Sequence, residues 1–563
     1  MTLPQTININ PESKKHAFIV NQLRDRITAS RHGKWRSEQL ARWERAEDRL
    51  VAYMPERDVD KARADQRKNG KPQYTTIMVP YSYAVLMSAH TYWTTVFLSR
   101  DPVLQFAGRH GESQQQESAV EALMNYQTTA AGHIANYHHW LFDTGKYGFG
   151  VIGNYWDEET STVSRIEEQE EQFLGIIPTG KMKKIRVTEE VMGYQGNKLY
   201  NIRPQDFFSD PRVPLWRLQD GEFCGTYVEM SWNKLWAGQA RGRYQNVEKV
   251  KEYGKRNSAY GTVSSADREE GSQRQMIPDA NDFGAGYVEN GTASDCVQVY
   301  EVYIEIIPSD WGLGQNNMPE KWVFTVTADY MCLIEARPFG AYHNKFPFSV
   351  IQMEPDAYRT FSRGYMDVMD PIQNTLDWLF NSHFYNVRKT LNNQFIIDPS
   401  RVNMRDFENP MPGGYLRLSP AGYGQDIRTV MQQLQVADVT QNHLRDAQFV
   451  LQLGERVSGV NDAVMGMQAP SSRRSAAEVR SGNTFSINRL KTLAEYMSVV
   501  GFGPNAQMLL QNTQQFMDAE MKVRVTGDLA QIGDQRKCLS VDPAAIAGMY
   551  DFIPVDGTLP VDR

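Results

Sequence analysis

The sequence predicts an α+β protein. Three observations carry that reading. Apolar residues recur at helical spacing in the first 150 residues, alternate with period two through the middle of the chain, and return to helical spacing beyond residue 360. At 563 residues the chain is long enough for several cores.

The first helical stretch is "KWRSEQLARWERAEDRLVAYM". Trp35, Leu40, Trp43, Leu50 and Met54 fall at roughly helical spacing there, with charges between them. The basic run "RDVDKARADQRKNGKPQ" reads as a loop. Helices are expected over 81–98 and 112–144, the second opening on an acidic, polar turn that suits the positive end of a helix. The pattern changes at "GKYGFGVIGNYW", which reads as a strand entering a sheet, with "DEETST" as a hairpin-like continuation. Further strands are expected over 183–191, 198–202 and 223–230. Residues 231–253 read as helical, and the Gly/Ser/Asn/Asp-rich stretch to about 294 reads as a mobile loop.

"CVQVYEVYIEIIP" then alternates as a half-buried strand should, "KWVFTVTADYMCLIEARP" supplies two more strands, and the β-rich insert ends at "FPFSVIQ". A long helix follows in "GYMDVMDPIQNTLDWLFNSHFYNVRKTL", where Pro371 predicts a kink or a late start because proline lacks a backbone donor. After the extended "NPMPGGYLRLSP", helices are expected over 438–455 and 475–496. The last residues read as a loop, an ending compatible with a longer natural chain.

Composition narrows the function. A charged fraction of 23% with 11% aromatics fits a folded chain, and the net charge of −7 argues against whole-surface attraction to nucleic acid, leaving room only for a local basic site. Cys224, Cys296, Cys332 and Cys538 have no short spacing, so reduced, mostly buried thiols and a cytosolic folding compartment are expected. The N-terminus carries no apolar signal region. The most apolar segment, "YAVLMSAHTYWTTVFL", is short and polar-interrupted and reads as a packed helix, so no membrane is expected.

Catalytic signatures are missing: there is no Walker A sequence, no Gly-x-Ser-x-Gly and no His-Glu-x-x-His. Gly145, Gly148 and Gly150 follow a helix and precede a strand, the reverse of a dinucleotide fingerprint. His133, His138 and His139 form the densest histidine group, expected as polar helix surface or subunit contact rather than a metal site. Asp367/Asp370 and Asp206/Asp210 are carboxylate pairs, but "SDP" is a turn signal and Phe207 and Phe208 read as its anchor. The acidic "RIEEQEEQ" reads as a solvated face. No cofactor, metal or catalytic residue is expected.

One stretch stands out, "VNDAVMGMQAPSSRRSAAEVRSG". Ser475 and Glu478 form an S-x-x-E capping box, which starts a helix near Ser475 and leaves 461–474 as a loop bent at Gly466 and Pro470. Met465 and Met467 are adaptable apolar side chains, and Arg473 and Arg474 are able to reach phosphates. The competing reading makes the methionines core and the arginines salt-bridge partners.

These segments, in order, resemble the portal proteins of tailed bacteriophages. "DTGKYGFGVIGNYW" resembles the helix-to-strand entry of the portal wing. "NIRPQDFFSDPRVPLWRLQDGEFCGTYVEMSWNKL" is similar to the family's Pro-x-Asp-φ-φ-x-Asp-Pro turn, strand and helix. The β insert followed by "FSRGYMDVMDPIQNTLDWLFNSHFYN" resembles a clip leading into a stem helix. "ERVSGVNDAVMGMQAPSSRRSAAEVRSGNTFSINRL" resembles the family's loop and long helix. The likeness covers most of 80–530, without a signature in the first seventy residues or a long helical tail.

The resemblance implies an N-terminal wing at 1–230 and a first stem region with a loop at 231–294. A clip at 295–352 and a second stem helix at 353–395 follow, then more wing at 396–530 and a crown-proximal segment at 531–563. It implies a ring, expected as a dodecamer, at one capsid vertex of the virion, assembled in the host cytoplasm. The expected partners are double-stranded DNA, the terminase large subunit, major capsid and scaffolding proteins, and head–tail adaptors. Within it, Met465, Met467, Gln468, Ser471, Ser472, Arg473 and Arg474 would face the DNA. Asp367, Asp370, Arg388 and Lys389 would belong to the stem, and Trp311, Asn316, Asn317, Glu320 and Lys321 would meet partners as exposed clip residues. Alternatives are another virion structural protein (an adaptor or minor head protein) or a metal-dependent DNA-processing enzyme.

Overall fold

The computed structural model describes residues 4–50, 77–173, 177–250, 296–391, 394–408, 415, 417–424, 426–434, 440, 442–460, 488–524 and 538–555. The loop expected up to residue 294 and the capping box at Ser475 lie outside these.

Ser13 caps α1 (Lys14–Arg31) by accepting from the His16 amide at 3.1 Å. Its buried Ile19, Val20, Leu23 and Ile27 pack on one face of a β-sheet. α2 (Lys34–Leu50) buries Trp43 among Tyr147, Phe149 and Phe361. α3 (Tyr81–Leu98) matches its expected span. The helix expected over 112–144 is instead two, α4 (Gln114–Ala130) and α5 (His133–Tyr147), broken where Gly132 turns to φ +70°. Continuous apolar spacing concealed that break.

Three glycines around the α5–β2 junction are there for close approach. A Cβ at Gly145 would sit 2.6 Å from a Leu86 methyl, one at Gly150 2.6 Å from the Trp140 carbonyl, and Gly148 has φ +92° against the backbone of 362–364. Beyond them β2 (Phe149–Phe173) and β3 (Ile177–Ile202) form an antiparallel pair. "DEETST" is therefore not a turn but the middle of β2. It holds no glycine, proline or asparagine, whereas its two threonines favour extended backbone. The two strands expected over 183–202 are likewise one.

β4 (Phe207–Ser209), β5 (Phe223–Ser231), β6 (Cys296–Ile306), β7 (Glu320–Thr327) and β8 (Leu333–Pro338) make one antiparallel sheet in that order. β9 (Phe348–Gln352) instead joins the edge of β2, opposite residues 149–153. The strands of 295–352 thus do not form a separate insert: they complete sheets begun by 149–231. The helix expected over 231–253 is interrupted: α6 (Trp232–Ala240) ends where Gly242 at φ +76° and Asn246 at φ 59° turn the chain, and helix resumes over 247–250.

α7 (Tyr365–Leu391) starts without delay and runs through Pro371. β10 (Gln394–Ile397) pairs with β11 (Met431–Leu434), and α8 (His443–Ser458) returns alongside α7. A helix over 488–497 passes through a π turn at Ser498–Phe502 into α9 (Gly503–Phe516). β12 (Met521–Arg524) pairs with β13 (Cys538–Val541), and β14 (Tyr550–Phe552) with β1 (Phe106–Gly108).

The largest core gathers Trp93, Phe97, Tyr137, Trp140, Tyr365, Met369 and Phe502 from α3, α5, α7 and the π turn. Phe97 stacks on Phe502 at 4.4 Å. Each such side chain contributes about 2–3 kcal/mol by leaving water. Cys224 and Cys332 are buried free thiols, as expected, and burial pushes the Cys332 thiol up to about 12.

Candidate functional site

The feature that sets the middle of the chain apart is an arm made of α7, the β10–β11 ribbon and α8. Its base is fixed by backbone contact. Gly364 lies so close to Lys146 that a Cβ would fall 2.4 Å from that carbonyl, and Ser362 Oγ donates to the Gly148 carbonyl.

From there α7 presents Gln373, Asp377 and Asn381, four residues apart and so on one face. Gln373 Oε1 accepts from Ser82 N at 3.1 Å, Asp377 from Val79 N at 3.0 Å and Asn381 Oδ1 from Ile77 N at 2.7 Å. These polar side chains bind the irregular 77–80 segment and the first turn of α3, where helix amides lack intrahelical partners. Burial nonetheless raises the Asp377 carboxyl above its ordinary range.

α8 runs antiparallel to α7. Ser382 Oγ and His443 Nδ1 are 3.1 Å apart, and Thr440 Oγ1 lies 3.0 Å from His383 Nδ1 while accepting from Asn386 Nδ2 at 3.1 Å. At the other end Tyr365 OH donates to the Ser458 carbonyl at 3.4 Å. α8 buries only Ala447, Gly454 and Ser458, small residues that allow close approach; a Cβ on Gly454 would meet the Tyr81 ring at 2.6 Å. Its Phe449 and Leu453 stand exposed, as does Trp378 on α7. The excursion between β10 and β11 is pinned by Arg417, whose guanidinium holds Asp406 at 2.8 and 2.9 Å and keeps that carboxyl low.

α8 ends at Gly459, φ +74°, and the next residue, Val460, is fully buried. The predicted DNA-facing residues Met465, Met467, Gln468, Ser471, Ser472, Arg473 and Arg474 lie outside the described residues. The described residues on either side of 461–487 are nonetheless held together. Val460 and Leu490 share the largest core, and Arg489 donates to the Arg456 carbonyl at 3.1 Å.

Of the stem residues, Asp367 and Asp370 face α2 rather than open solvent. Arg49 pairs with Asp370 at 3.0 Å, and burial raises the Asp367 carboxyl while Arg42 and Arg45 act to lower it. Arginines at 42, 45 and 49 share one α2 face here, lining a polar cavity of about 190 Å³. The side chains of Arg388 and Lys389 are not among those described.

Trp311, expected among the exposed partner-contact residues, is not exposed in this chain. It is buried, stacked on Phe324 at 5.7 Å and edge-on to Phe18, because the loop after β6 folds back over the sheet where α1 covers it. Lys321 is half-buried, its ammonium 4.4 Å over the Phe346 ring. Asn316 and Asn317 are exposed, and Asn316 bonds Glu320.

The histidine group also reads differently in three dimensions. His133 is buried in the core and donates through Nε2 to the Asn197 carbonyl at 3.0 Å; burial lowers its imidazole to about 4. Asp210 organises its turn by accepting from the Arg212 side chain at 2.6 and 2.9 Å and from the Arg212 and Glu222 amides, over buried Phe207 and Phe208. Asp206, without those donors, is raised by burial. Sequence reasoning missed Arg36, whose guanidinium is buried and donates to the carbonyls of Pro204, Gln205 and Phe207. Its position amid the α2 charges gave no sign of this.

Against known protein families, the chain matches the phage SU10 portal protein model over residues 83–536. That span takes in the two larger sheets, the arm and the segment that follows it. The chain belongs to the SU10 portal family. No curated protein matches it. As a portal protein it is a structural component of a phage virion, of a family that is not enzymatic. No helix among the described residues of the portal chain is long and apolar enough to cross a membrane.

Proposed function

We propose that this portal chain assembles into a closed ring, a dodecamer, whose central channel passes double-stranded DNA. It packages the genome under the terminase large subunit and releases it later. The ring sits at one capsid vertex, bound to the major capsid protein and, during assembly in the host cytoplasm, to scaffolding protein. Head–tail adaptors attach to it afterwards. The observation that carries this reading is the family match across 83–536.

The arm supports a more specific version. The stem is α7 with α8, and the clip is the small lobe between them, residues 394–434, instead of the 295–352 strands. Those strands complete sheets shared with 149–231 and so belong with the wing. Exposed Trp378, Phe449 and Leu453 suit a stem covered by neighbouring copies. The 461–474 segment, which follows directly where α8 ends at buried Val460, is the channel loop, with Arg473 and Arg474 as its transient phosphate contacts. A net charge of −7 suits a channel that lets the duplex slide, since a strongly basic wall would hold it by counterion release.

Negative-stain imaging of the purified full chain tests the proposal. Rings with a central hole and a native mass of a dodecamer are expected. Monomers throughout, or open filaments, would overturn it.

A further inference from the structure

The outer half of the β2–β3 ribbon has no part in the proposed channel. β9 covers the outer edge of β2 only opposite residues 149–153, and from 154 outward neither β2 nor β3 has another strand on its free edge among the described residues. The faces are open to solvent too. Glu158, Glu159, Thr160, Val163, Ser164 and Arg165 are all exposed, and so are Val191, Met192 and Gly193 on the other strand. Since strand side chains alternate between faces, exposure at consecutive positions means that neither face is covered. At 158–160, 163–165 and 191–193 the ribbon stands off the body.

An isolated two-stranded ribbon is marginal in water, and two open edges make it a template for further pairing. The charge along its outer half is divided by strand. β2 carries Glu167, Glu168, Glu170 and Glu171, whereas the partner segment of β3 carries Lys181, Lys183, Lys184 and Arg186. Within the hairpin Glu168 already stands opposite Lys184. That division also decides which second ribbon fits alongside. A two-fold pairing places β2 against β2 or β3 against β3, setting like charges side by side. A rotational repeat places β2 against the next copy's β3, which is antiparallel, as within the hairpin, and opposite in charge. Such a head-to-tail contact closes a ring and leaves no edge open.

We propose that the outer halves of β2 and β3 pair edge to edge with the same ribbon of neighbouring copies of this chain, β2 of one against β3 of the next, making a closed intersubunit sheet. This inference rests on the ring reading but selects a contact that the reading does not require.

The test uses full-length chains in which each copy carries one new cysteine. Glu168→Cys and Lys184→Cys chains, differently tagged, are co-expressed and oxidised. Glu167 and Glu170 are scanned in the same way against Lys181 and Lys183 to sample the register between copies. One new cysteine per chain makes a disulfide within the hairpin impossible, since none of the four native cysteines lies in it. A covalent dimer carrying both tags is expected on a non-reducing gel for at least one mixed pair, and none between two Glu168→Cys chains. Rings without any mixed crosslink across the scan, or crosslinks only between identical chains, would overturn the inference while leaving the ring intact. A mixed crosslink between chains that never form rings would keep the edge pairing and remove the portal ring.

Discussion

Arg36 shows what a single side chain does in this fold. Burial lowers its guanidinium to about 10, so it is still charged at neutral pH, and it lies 4.8 Å over the Trp43 ring while satisfying the carbonyls of 204, 205 and 207. Replacing it with methionine strands those acceptors, and a loss of about 3–5 kcal/mol is expected by denaturant titration. A second residue-scale expectation concerns pH. His133 titrates near 4 in the fold and His343 near 3, both below the ordinary value because burial disfavours the charged ring. The unfolded chain therefore binds protons that the folded chain refuses, so stability falls as pH drops from about 6.5 towards 4. The thermal midpoint is expected to fall over that window, and to fall less steeply in His133→Gln. A midpoint with the same pH dependence in both would dismiss His133 as a contributor.

At the scale of elements, α7 is an organiser as well as a rod. Gln373→Leu removes the acceptor for the Ser82 amide and the donor to the Val79 carbonyl, and a destabilisation of about 1–3 kcal/mol is expected in unfolding experiments. Much at this scale was legible beforehand. The α3 span and the β6 and β7 strands follow from periodicity alone, because apolar residues recur regularly on one face of each, although the two strands bury their other face as well. The missed features depend on partners distant in sequence. Gly132 breaks a helix that local spacing would continue. "DEETST" stays extended because a second strand pairs with it. The burial of Trp311 needs α1, some 290 residues earlier, to supply the other wall. A lone tryptophan in a Gly/Asn-rich loop reads as surface until that wall is known. The carboxylates Asp367 and Asp370 were found by sequence, but their α2 arginine partners were not, since residue types give no pairing between distant helices.

For the whole molecule, the acidic balance sets an expectation about DNA. A protein making six to ten phosphate contacts shows a log–log salt slope of roughly −5 to −9. Purified rings of this chain are expected to bind linear duplex weakly, with a slope no steeper than about −3, as measured by fluorescence anisotropy across a salt series. A steep slope would mean a channel that grips its cargo. The resemblance to portals was visible because short segments occur in the family's order over most of the chain. The membership of the 295–352 strands in sheets begun earlier was not, because it depends on pairing between residues distant in sequence.

The seam between α7 and α8 carries a mechanical consequence. Its polar contacts lie at both ends of the helix pair, Tyr365 with Ser458 at the base and the Ser382, His383 and Asn386 group far along α7. In an antiparallel pair tied at two separated points, a pull along the axis strains both ties together in shear, whereas peeling would break them one at a time. A push on the segment after Gly459 is thus handed to the whole length of the arm, which makes the helix pair a strut with its stiffness directed along the line of thrust.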